Sequence, residues 1–310
     1  IFFSSLNKKT LFTLSILLFF ISLFFLFLVP IIGTEVNGSR RWLDLFFLPR
    51  FQPIELVKPF AIILIAIILS SEKNYNIYYK YFISFMVIVP IFFLLMMQPD
   101  IGQTLLIFLS WLTLVFISGI SLTIFLTVFT VSIFILFYLI FFVDKFGYIK
   151  NRVFSFFDPN TGTHNFQSEK AIEAISSGGF FGKGYNKASV SSVESNHVPE
   201  SETDFIFCPF AEEWGFVGVV VLFLLYFFVL FRIIIIAERQ RAAFNRIYAY
   251  CVAMILFYHF AINIGMNIGF APVIGIPLPF FSYGGSSMMS FSVMLFILLK
   301  LDAQRKDVLR

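Results

Sequence analysis

The chain alternates between long apolar runs and shorter polar segments. Eight runs are predicted to be membrane-spanning helices, at about 10–32, 54–71, 81–98, 101–118, 121–143, 205–237, 247–269 and 288–300. A helix needs about 20 apolar residues to cross the hydrocarbon core of a bilayer, and the last run is the shortest of the eight. The pattern therefore predicts an all-α fold, a polytopic transmembrane helical bundle that forms one integral membrane domain over 1–310.

The orientation of this bundle follows from its Lys and Arg residues. They cluster at Lys8–Lys9, at Arg239, Arg241 and Arg246, and at Lys300, Arg305, Lys306 and Arg310. Such residues are enriched in the cytoplasmic flanks of membrane helices. Counting spans places all three clusters on one side, so we expect a cytoplasmic C-terminus. The segments on the opposite side are then 33–53, the large extracytoplasmic loop 144–204, and 270–287.

Composition narrows the possible functions. Hydrophobic residues make up 59% of the chain and charged residues 13%, whereas soluble domains carry roughly 25% charged residues. The net charge of +4 is explained by topology and does not indicate nucleic-acid binding. Cys208 and Cys251 lie in or beside apolar runs, so we predict neither a disulfide nor a metal site. The first run is too long for a signal-peptide core and is predicted to remain in the mature protein.

Unusual polar residues gather where the predicted spans meet the outer boundary. Glu55 and Lys58 begin the second span and share a helix face, as a structural ion pair or as part of a cavity. Asp100 ends the third span in a Gln-Pro-Asp turn, and Ser286 begins the eighth. Ionisable groups at such places are costly, and their shared side favours a functional site over separate structural roles.

Arg40 and Arg41 lie in the short segment 33–53, on the side where basic residues are disfavoured. Their position is either scatter in the charge pattern or a site for an anion. A guanidinium group matches phosphate oxygens through two parallel hydrogen bonds.

Asp204 stands at the end of the large loop and is followed at once by Phe205-Ile206-Phe207. A carboxylate beside such an apolar wall is expected to have a raised pKa, which suits a general base. The alternative is that Thr203 or Asp204 caps the sixth span. Glu212 and Glu213 follow within the first turns of that span, and at least one is expected to face protein or a water-filled cavity.

The glycine segment 178–184, which reads Gly-Gly-Phe-Phe-Gly-Lys-Gly, is not a Walker-type phosphate loop. Its glycine spacing differs, and Lys183 is followed by Gly184 rather than by Ser or Thr. It is either a flexible turn or a weak signal for phosphate binding through backbone amides.

Taken together, the motifs resemble the SEDS family (shape, elongation, division and sporulation), which contains the bacterial proteins FtsW and RodA. The resemblance covers nearly the whole chain. It is carried, in order, by Asn37-Gly38-Ser39-Arg40-Arg41-Trp42, Gln52-Pro53-Ile54-Glu55-Leu56-Val57-Lys58-Pro59, Gln98-Pro99-Asp100-Ile101-Gly102, Ser177 to Gly184, Pro199-Glu200 with Thr203 to Phe207 and Glu212-Glu213, and Pro277-Leu278-Pro279-Phe280 with Ser282-Tyr283-Gly284-Gly285-Ser286.

The resemblance implies a peptidoglycan glycosyltransferase of the bacterial inner membrane. Such an enzyme polymerises lipid II with inversion and releases polyprenyl diphosphate, and its base matches Asp204. The implied diphosphate contacts are Arg40, Arg41, Lys58 and Lys183, while Glu55 and Asp100 organise the cavity and Ser286 belongs to the substrate site. A divalent cation, Mg²⁺ or Mn²⁺, could assist the diphosphate, although the sequence shows no defined metal site.

The family also implies ten transmembrane helices and a class B penicillin-binding protein, a transpeptidase, as partner, with other membrane proteins of the divisome or elongasome. Because the first span matches the family's third, we expect two N-terminal helices to be missing from this sequence.

Two questions remain open at the level of sequence. Gln103 favours the division branch, FtsW, whereas Pro272 to Pro277 is closer to RodA, and we favour FtsW. The competing functions are a lipid II flippase or other lipid transporter, and a non-catalytic scaffold. A transporter is expected to carry ionisable residues at midplane depth, and the fourth, fifth and seventh spans carry few.

Overall fold

A computed structural model describes residues 8–36, 39–45, 48–71, 76–142, 147, 150, 163–188 and 200–308. In these residues it contains nine helices and three strands: α1 (Lys8–Ile32), β1 (Thr34–Val36), β2 (Ser39–Leu45), β3 (Leu48–Phe51), α2 (Pro53–Leu69), α3 (Ile77–Met97), α4 (Ile101–Ile117), α5 (Leu122–Phe142), α6 (Thr163–Ser177), α7 (Phe207–Glu238), α8 (Ala243–Asn267) and α9 (Gly285–Val308).

A helix occupies each of the eight predicted spans, which confirms the helical fold class. Within the described residues, five helices are long and apolar enough to cross a membrane, namely α1, α3, α7, α8 and α9. The predicted bounds of the last span, 288–300, were too short, because α9 has 24 residues. Lys300 and Asp302 are buried rather than solvated, so the helix continues past the first charged residues.

Two elements were not predicted. Three strands within the segment 33–53 form an antiparallel sheet in the order β1-β2-β3, with Thr34 opposite Trp42 and Leu43 opposite Phe51. The large loop contains the helix α6. Much of the rest of that loop, including 151–162 and 189–199, lies outside the described residues.

The chain divides into two compact units. The first contains Ile1–Ile120, Leu230–Leu256 and Gly285–Arg310, and the second contains Ser121–Val229 and Phe257–Gly284. Helices α7 and α8 therefore contribute residues to both units.

One end of the first unit brings together the start of α1, the start of α8 and the end of α9, which carry described members of the three basic clusters. Near the start of α1, Phe12 lies against Phe244 in the first turn of α8, with ring centroids 4.6 Å apart. Near the end of α9, Arg305 Nη1 lies 3.5 Å from the carbonyl oxygen of Arg239. We call this region the basic end. It is the arrangement that a common side for the three clusters requires.

In the second unit, α7 is interrupted at Gly215, whose φ of 62° and ψ of −165° are not helical. The glycine segment fills the interruption. Phe216 and Val217 donate their N–H groups to the carbonyls of Gly179 and Phe180 at 3.0 and 3.2 Å, and Lys183 N–H donates to the carbonyl of Glu212 at 2.9 Å. The segment thus satisfies backbone groups that a broken helix leaves exposed.

This contact requires small residues. A Cβ atom on Gly182 would lie 2.1 Å from the carbonyl oxygen of Glu213, and one on Gly215 would lie 2.3 Å from the nitrogen of Gly182. The glycines therefore allow two backbones to touch. The segment contains turns, in line with one of the two sequence-based alternatives, and the amides of Lys183 and Gly184 are bonded to carbonyls of α7.

Candidate active site

Arg41 joins the sheet to the turn between α3 and α4. Its Nη2 donates to the carbonyl of Pro99 at 2.9 Å, and its Nε lies 3.7 Å from Asp100 Oδ2. Arg40, its neighbour on β2, projects differently and pairs with Glu35 at 3.6 Å, with both side chains more than half exposed. Successive strand residues point to opposite faces, so only one of the two arginines reaches the interior.

Asp100 caps α4 and also accepts a hydrogen bond from the residue before α2. Its Oδ1 accepts the N–H of Gln103 at the start of α4, at 3.3 Å. Its Oδ2 accepts from Gln52 Nε2 at 3.2 Å. The backbone N–H of Gln52 in turn donates to Ser286 Oγ at 3.1 Å. A single glutamine before α2 thereby links Asp100 at the start of α4 to Ser286 on α9.

Glu55 and Lys58 form a buried ion pair on α2. Lys58 Nζ lies 2.7 Å from Glu55 Oε1, and the two side chains are 2% and 1% exposed. Gln103 Nε2 donates to the same Glu55 oxygen at 2.9 Å, and the Lys58 ammonium lies 5.9 Å from the ring centroid of Phe291. The other oxygen of Glu55 and the oxygen of Gln103 are buried without a hydrogen-bond partner. The two unfilled acceptors are suited to a hydrogen-bond donor, such as a hydroxyl group.

Asp204 lies in the second unit, half-buried, in a run of turns before α7. The first helical residue is Phe207, so Asp204 does not occupy the position directly before the helix, where an N-cap residue stands. Its backbone carbonyl accepts from Asn263 and Asn267 of α8.

Lys183 pairs with Glu212 rather than standing by itself. Its Nζ lies 2.6 Å from Glu212 Oε1, and the Glu212 side chain is fully buried. The carboxylate therefore faces protein, as expected for at least one of Glu212 and Glu213. The Lys183 side chain is 39% exposed, so its predicted role at a diphosphate stays a prediction.

The predicted site residues thus fall into groups. Arg41, Glu55, Lys58, Asp100 and Ser286 are brought together in the first unit, and Lys183 and Asp204 belong to the second. Arg40 lies at the surface of the sheet. Gln52, Gln103, Asn263 and Asn267 were not predicted as site residues. The only signal for the two glutamines was their position inside the motifs, since neutral amides do not stand out in a charge pattern.

No set of three or more His, Cys, Asp or Glu side chains in the described part of the chain is placed to hold a metal ion.

The sequence matches the FtsW/RodA/SpoVE family, described as cell cycle proteins, over residues 1–307. It is 35% identical over 295 residues to the peptidoglycan glycosyltransferase MrdB of Escherichia coli (strain K12), covering 93% of this chain and 78% of that protein. It is also 35% identical over 287 residues to a probable peptidoglycan glycosyltransferase FtsW of Nitrosomonas europaea, covering 90% of this chain and 72% of the relative.

Solved structures agree with these relatives. A chain from a peptidoglycan synthase complex that coordinates polymerization and crosslinking superposes with a TM-score of 0.83 at 29% identity, covering 98% of this chain and 85% of that one. The rod shape determining protein RodA of Thermus thermophilus gives a TM-score of 0.70 at 30% identity, with 97% and 82% of the two chains covered.

Proposed function

This chain belongs to the FtsW/RodA/SpoVE family, and on that premise we propose that it is a peptidoglycan glycosyltransferase that polymerises lipid II into glycan strands. The observations that carry the proposal are the match to the family model over residues 1–307, a range that contains every candidate site residue, and the similarity to a named glycosyltransferase over 295 residues. Its apolar helices and its family make it a multi-pass membrane protein.

The reaction joins an acceptor sugar hydroxyl to the anomeric carbon of lipid II. The new C–O bond forms as the bond to the diphosphate breaks, and the electron pair leaves with the diphosphate. Asp204 takes the proton of the attacking hydroxyl as general base, and attack from the face opposite the leaving group inverts the anomeric centre. Support for Asp204 comes from its position in the family motif and from its half-buried place at the entrance of α7.

The leaving diphosphate needs positive charge, which we assign to Lys58 and Arg41. Lys58 is 2% exposed and is oriented by Glu55. A guanidinium carries five N–H donors, so Arg41 can hold Pro99 and Asp100 and still offer donors to a phosphate. Glu55 and Asp100 then organise the two cations, while Gln52 and Ser286 brace Asp100. Charge placed before the reaction in a site that excludes water stabilises the developing anion.

The first test replaces the base in the full-length protein with its partner. Asp204→Asn is expected to abolish glycan strands formed from purified lipid II and resolved on a gel, while leaving the unfolding midpoint unchanged. Glu202→Gln is the matched control, because Glu202 is an exposed carboxylate two residues away. Undiminished polymer from Asp204→Asn would remove Asp204 from the mechanism. Lipid II translocation in vesicles without polymer from the wild-type protein would favour a flippase.

For the partner, we propose a class B penicillin-binding protein with transpeptidase activity, acting with other membrane proteins of the divisome or elongasome. The similarity to a chain from a complex that couples polymerization to crosslinking supports this proposal. Stimulation of polymer formation on adding the purified partner tests it.

Between the two branches we propose the division role, on the basis of Gln103. Relatives of both branches have similar identity to this chain, so the choice rests on that residue. Expression in cells depleted of FtsW or of RodA tests the choice, and restored division is expected only in the first. Restored rod shape in the second would assign the chain to elongation.

A further inference from the structure

We propose that Asn263, Asn267 and Ser282 form a carbonyl clamp that positions Asp204 for proton transfer. The inference rests on the proposed role of Asp204 as base and adds residues that act through it. These three side chains touch the backbone that carries the base, so they are positioning residues rather than catalytic ones.

The clamp binds three consecutive carbonyl groups. The carbonyl of Glu202 accepts the backbone N–H of Tyr283 at 2.9 Å. The carbonyl of Thr203 accepts the Ser282 hydroxyl at 2.6 Å. The carbonyl of Asp204 accepts Nδ2 of Asn263 at 2.8 Å and of Asn267 at 3.1 Å.

The two asparagines lie four residues apart and share one face of α8. Both are fully buried. Asn263 Nδ2 also donates to the carbonyl of Ile276 at 2.7 Å, and Asn267 Nδ2 also donates to the carbonyl of Asn263 at 2.8 Å. The amide groups therefore connect the entrance of α7, the end of α8 and the segment that follows it.

The Cys208 thiol fixes the orientation of the Asn267 side-chain amide. Cys208 Sγ, in the first turn of α7, donates to Asn267 Oδ1 at 2.8 Å. With its oxygen engaged there, the amide of Asn267 must present Nδ2 to the Asp204 carbonyl. The Cys208 side chain is fully buried, so it acts here as a hydrogen-bond donor and not as an exposed nucleophile.

The clamp holds a segment that no helix or strand of its own fixes in place. Residues 201–206 are turns, and α7 begins only at Phe207. The carbonyls of this segment are tied by side chains and backbone from α8 and from 282–283, so the direction of the Asp204 side chain depends on those donors. A displacement of about 1 Å in a reacting group can cost about 100-fold in rate.

The test measures lipid II polymerisation by the full-length enzyme with its partner. Asn267→Ala and Ser282→Ala are expected to lower kcat by about 10- to 100-fold while leaving KM for lipid II within about twofold. Ser282→Thr, which keeps the hydroxyl, is expected to restore most of the lost rate. Ser290→Ala is the control for Ser282→Ala, because Ser290 is a buried serine that lies in the first unit.

Each outcome decides between alternatives. If unfolding midpoints fall in parallel with kcat and Ser282→Thr does not restore the rate, the residues only stabilise the fold and the proposal is overturned. If Asp204→Asn is inactive but Asn267→Ala and Ser282→Ala keep full kcat, the base stands and the clamp is wrong. If Asp204→Asn is active, both the base and the clamp are overturned.

Discussion

Two ion pairs in this chain have the same spacing and different surroundings. Glu55 and Lys58 are three residues apart and nearly inaccessible, whereas Lys170 and Glu173 are three residues apart with exposed fractions of 25% and 63%. Burial removes both charges from water, so each buried partner depends on the other for its stabilisation. Surface pairs gain little, because water already solvates each charge.

Replacing the lysine of each pair should therefore give different losses in the free energy of unfolding. Lys58→Met is expected to lower the free energy of unfolding by about 3–5 kcal/mol, because Glu55 keeps its buried charge without the ammonium. Lys170→Met is expected to cost under about 1 kcal/mol. Chemical denaturation in detergent micelles measures both. Equal losses in the two variants would show that burial does not govern the α2 pair.

The adjacent arginines of β2 provide a second comparison. Arg41→Ala is expected to raise KM for lipid II by about 10-fold or more, because a charge-assisted contact to phosphate and the bond to Pro99 are both lost. Arg40→Ala is expected to stay within about twofold of wild type, since its pair with Glu35 is exposed. Steady-state kinetics with purified lipid II measures both. A similar KM for the two variants would place the diphosphate away from β2.

For single residues, the sequence predicted which side chains belong to the candidate site better than it predicted the residues that they contact. The cost of Glu55, Lys58 and Asp100 beside lipid singled them out without any structure. Their contacts with Gln52 and Gln103 depend on how α2 and α4 pack, which no local pattern encodes. For Lys183 the sequence could not show that Glu212, far along the chain, takes up its charge.

Among the elements, the helices were predictable because long apolar runs have few alternatives in a membrane. The three-stranded sheet was missed because its strands have only three, seven and four residues, too short for alternation to stand out. The break in α7 was missed for a different reason. Gly215 stands between Glu212-Glu213-Trp214 and a long apolar run, and only the contact with the glycine segment reveals why a glycine is needed there.

The close contact at the break in α7 predicts that alanine costs more stability at Gly182 than at Gly119. Gly119→Ala tests backbone strain alone, because its φ is 96° and no atom of the described residues lies within 4 Å of the place that a Cβ would take. A cost of about 1–2 kcal/mol is expected for this variant. Gly182→Ala carries similar strain at φ 79° and also a contact of 2.1 Å with the Glu213 carbonyl, so it is expected to cost at least about 3 kcal/mol.

Chemical denaturation of these variants in the same detergent provides the measurement. Indistinguishable losses for Gly119→Ala and Gly182→Ala would show that the glycine segment can move away from α7. In that case the segment would not be a fixed part of the helix entrance.

At the scale of the molecule, the first unit has two chemically different ends. Helix α9 carries Ser286 near its start, where Gln52 contacts it, and Arg305 near its end, where it meets Arg239. Ser286 and Arg305 are 19 residues apart on this helix (305 − 286), about 29 Å at ~1.5 Å per residue, which is close to the hydrocarbon thickness of about 30 Å. Since α9 is long and apolar enough to cross a membrane, we expect the candidate site residues of this unit and the basic end on opposite sides of the bilayer.

The charge rule then predicts which side is which. Because Lys and Arg favour the cytoplasmic flank, the basic end is expected in the cytoplasm and the site residues at the outer face, where the proposed polymerisation of lipid II would then take place. Green fluorescent protein fused after residue 310 is expected to fluoresce, and alkaline phosphatase inserted into the loop 144–204 is expected to be active. An alkaline phosphatase that is active at the C-terminus would reverse the orientation. It would also place Lys58 and Arg41 on the side away from the growing glycan, which would contradict their assignment to the diphosphate.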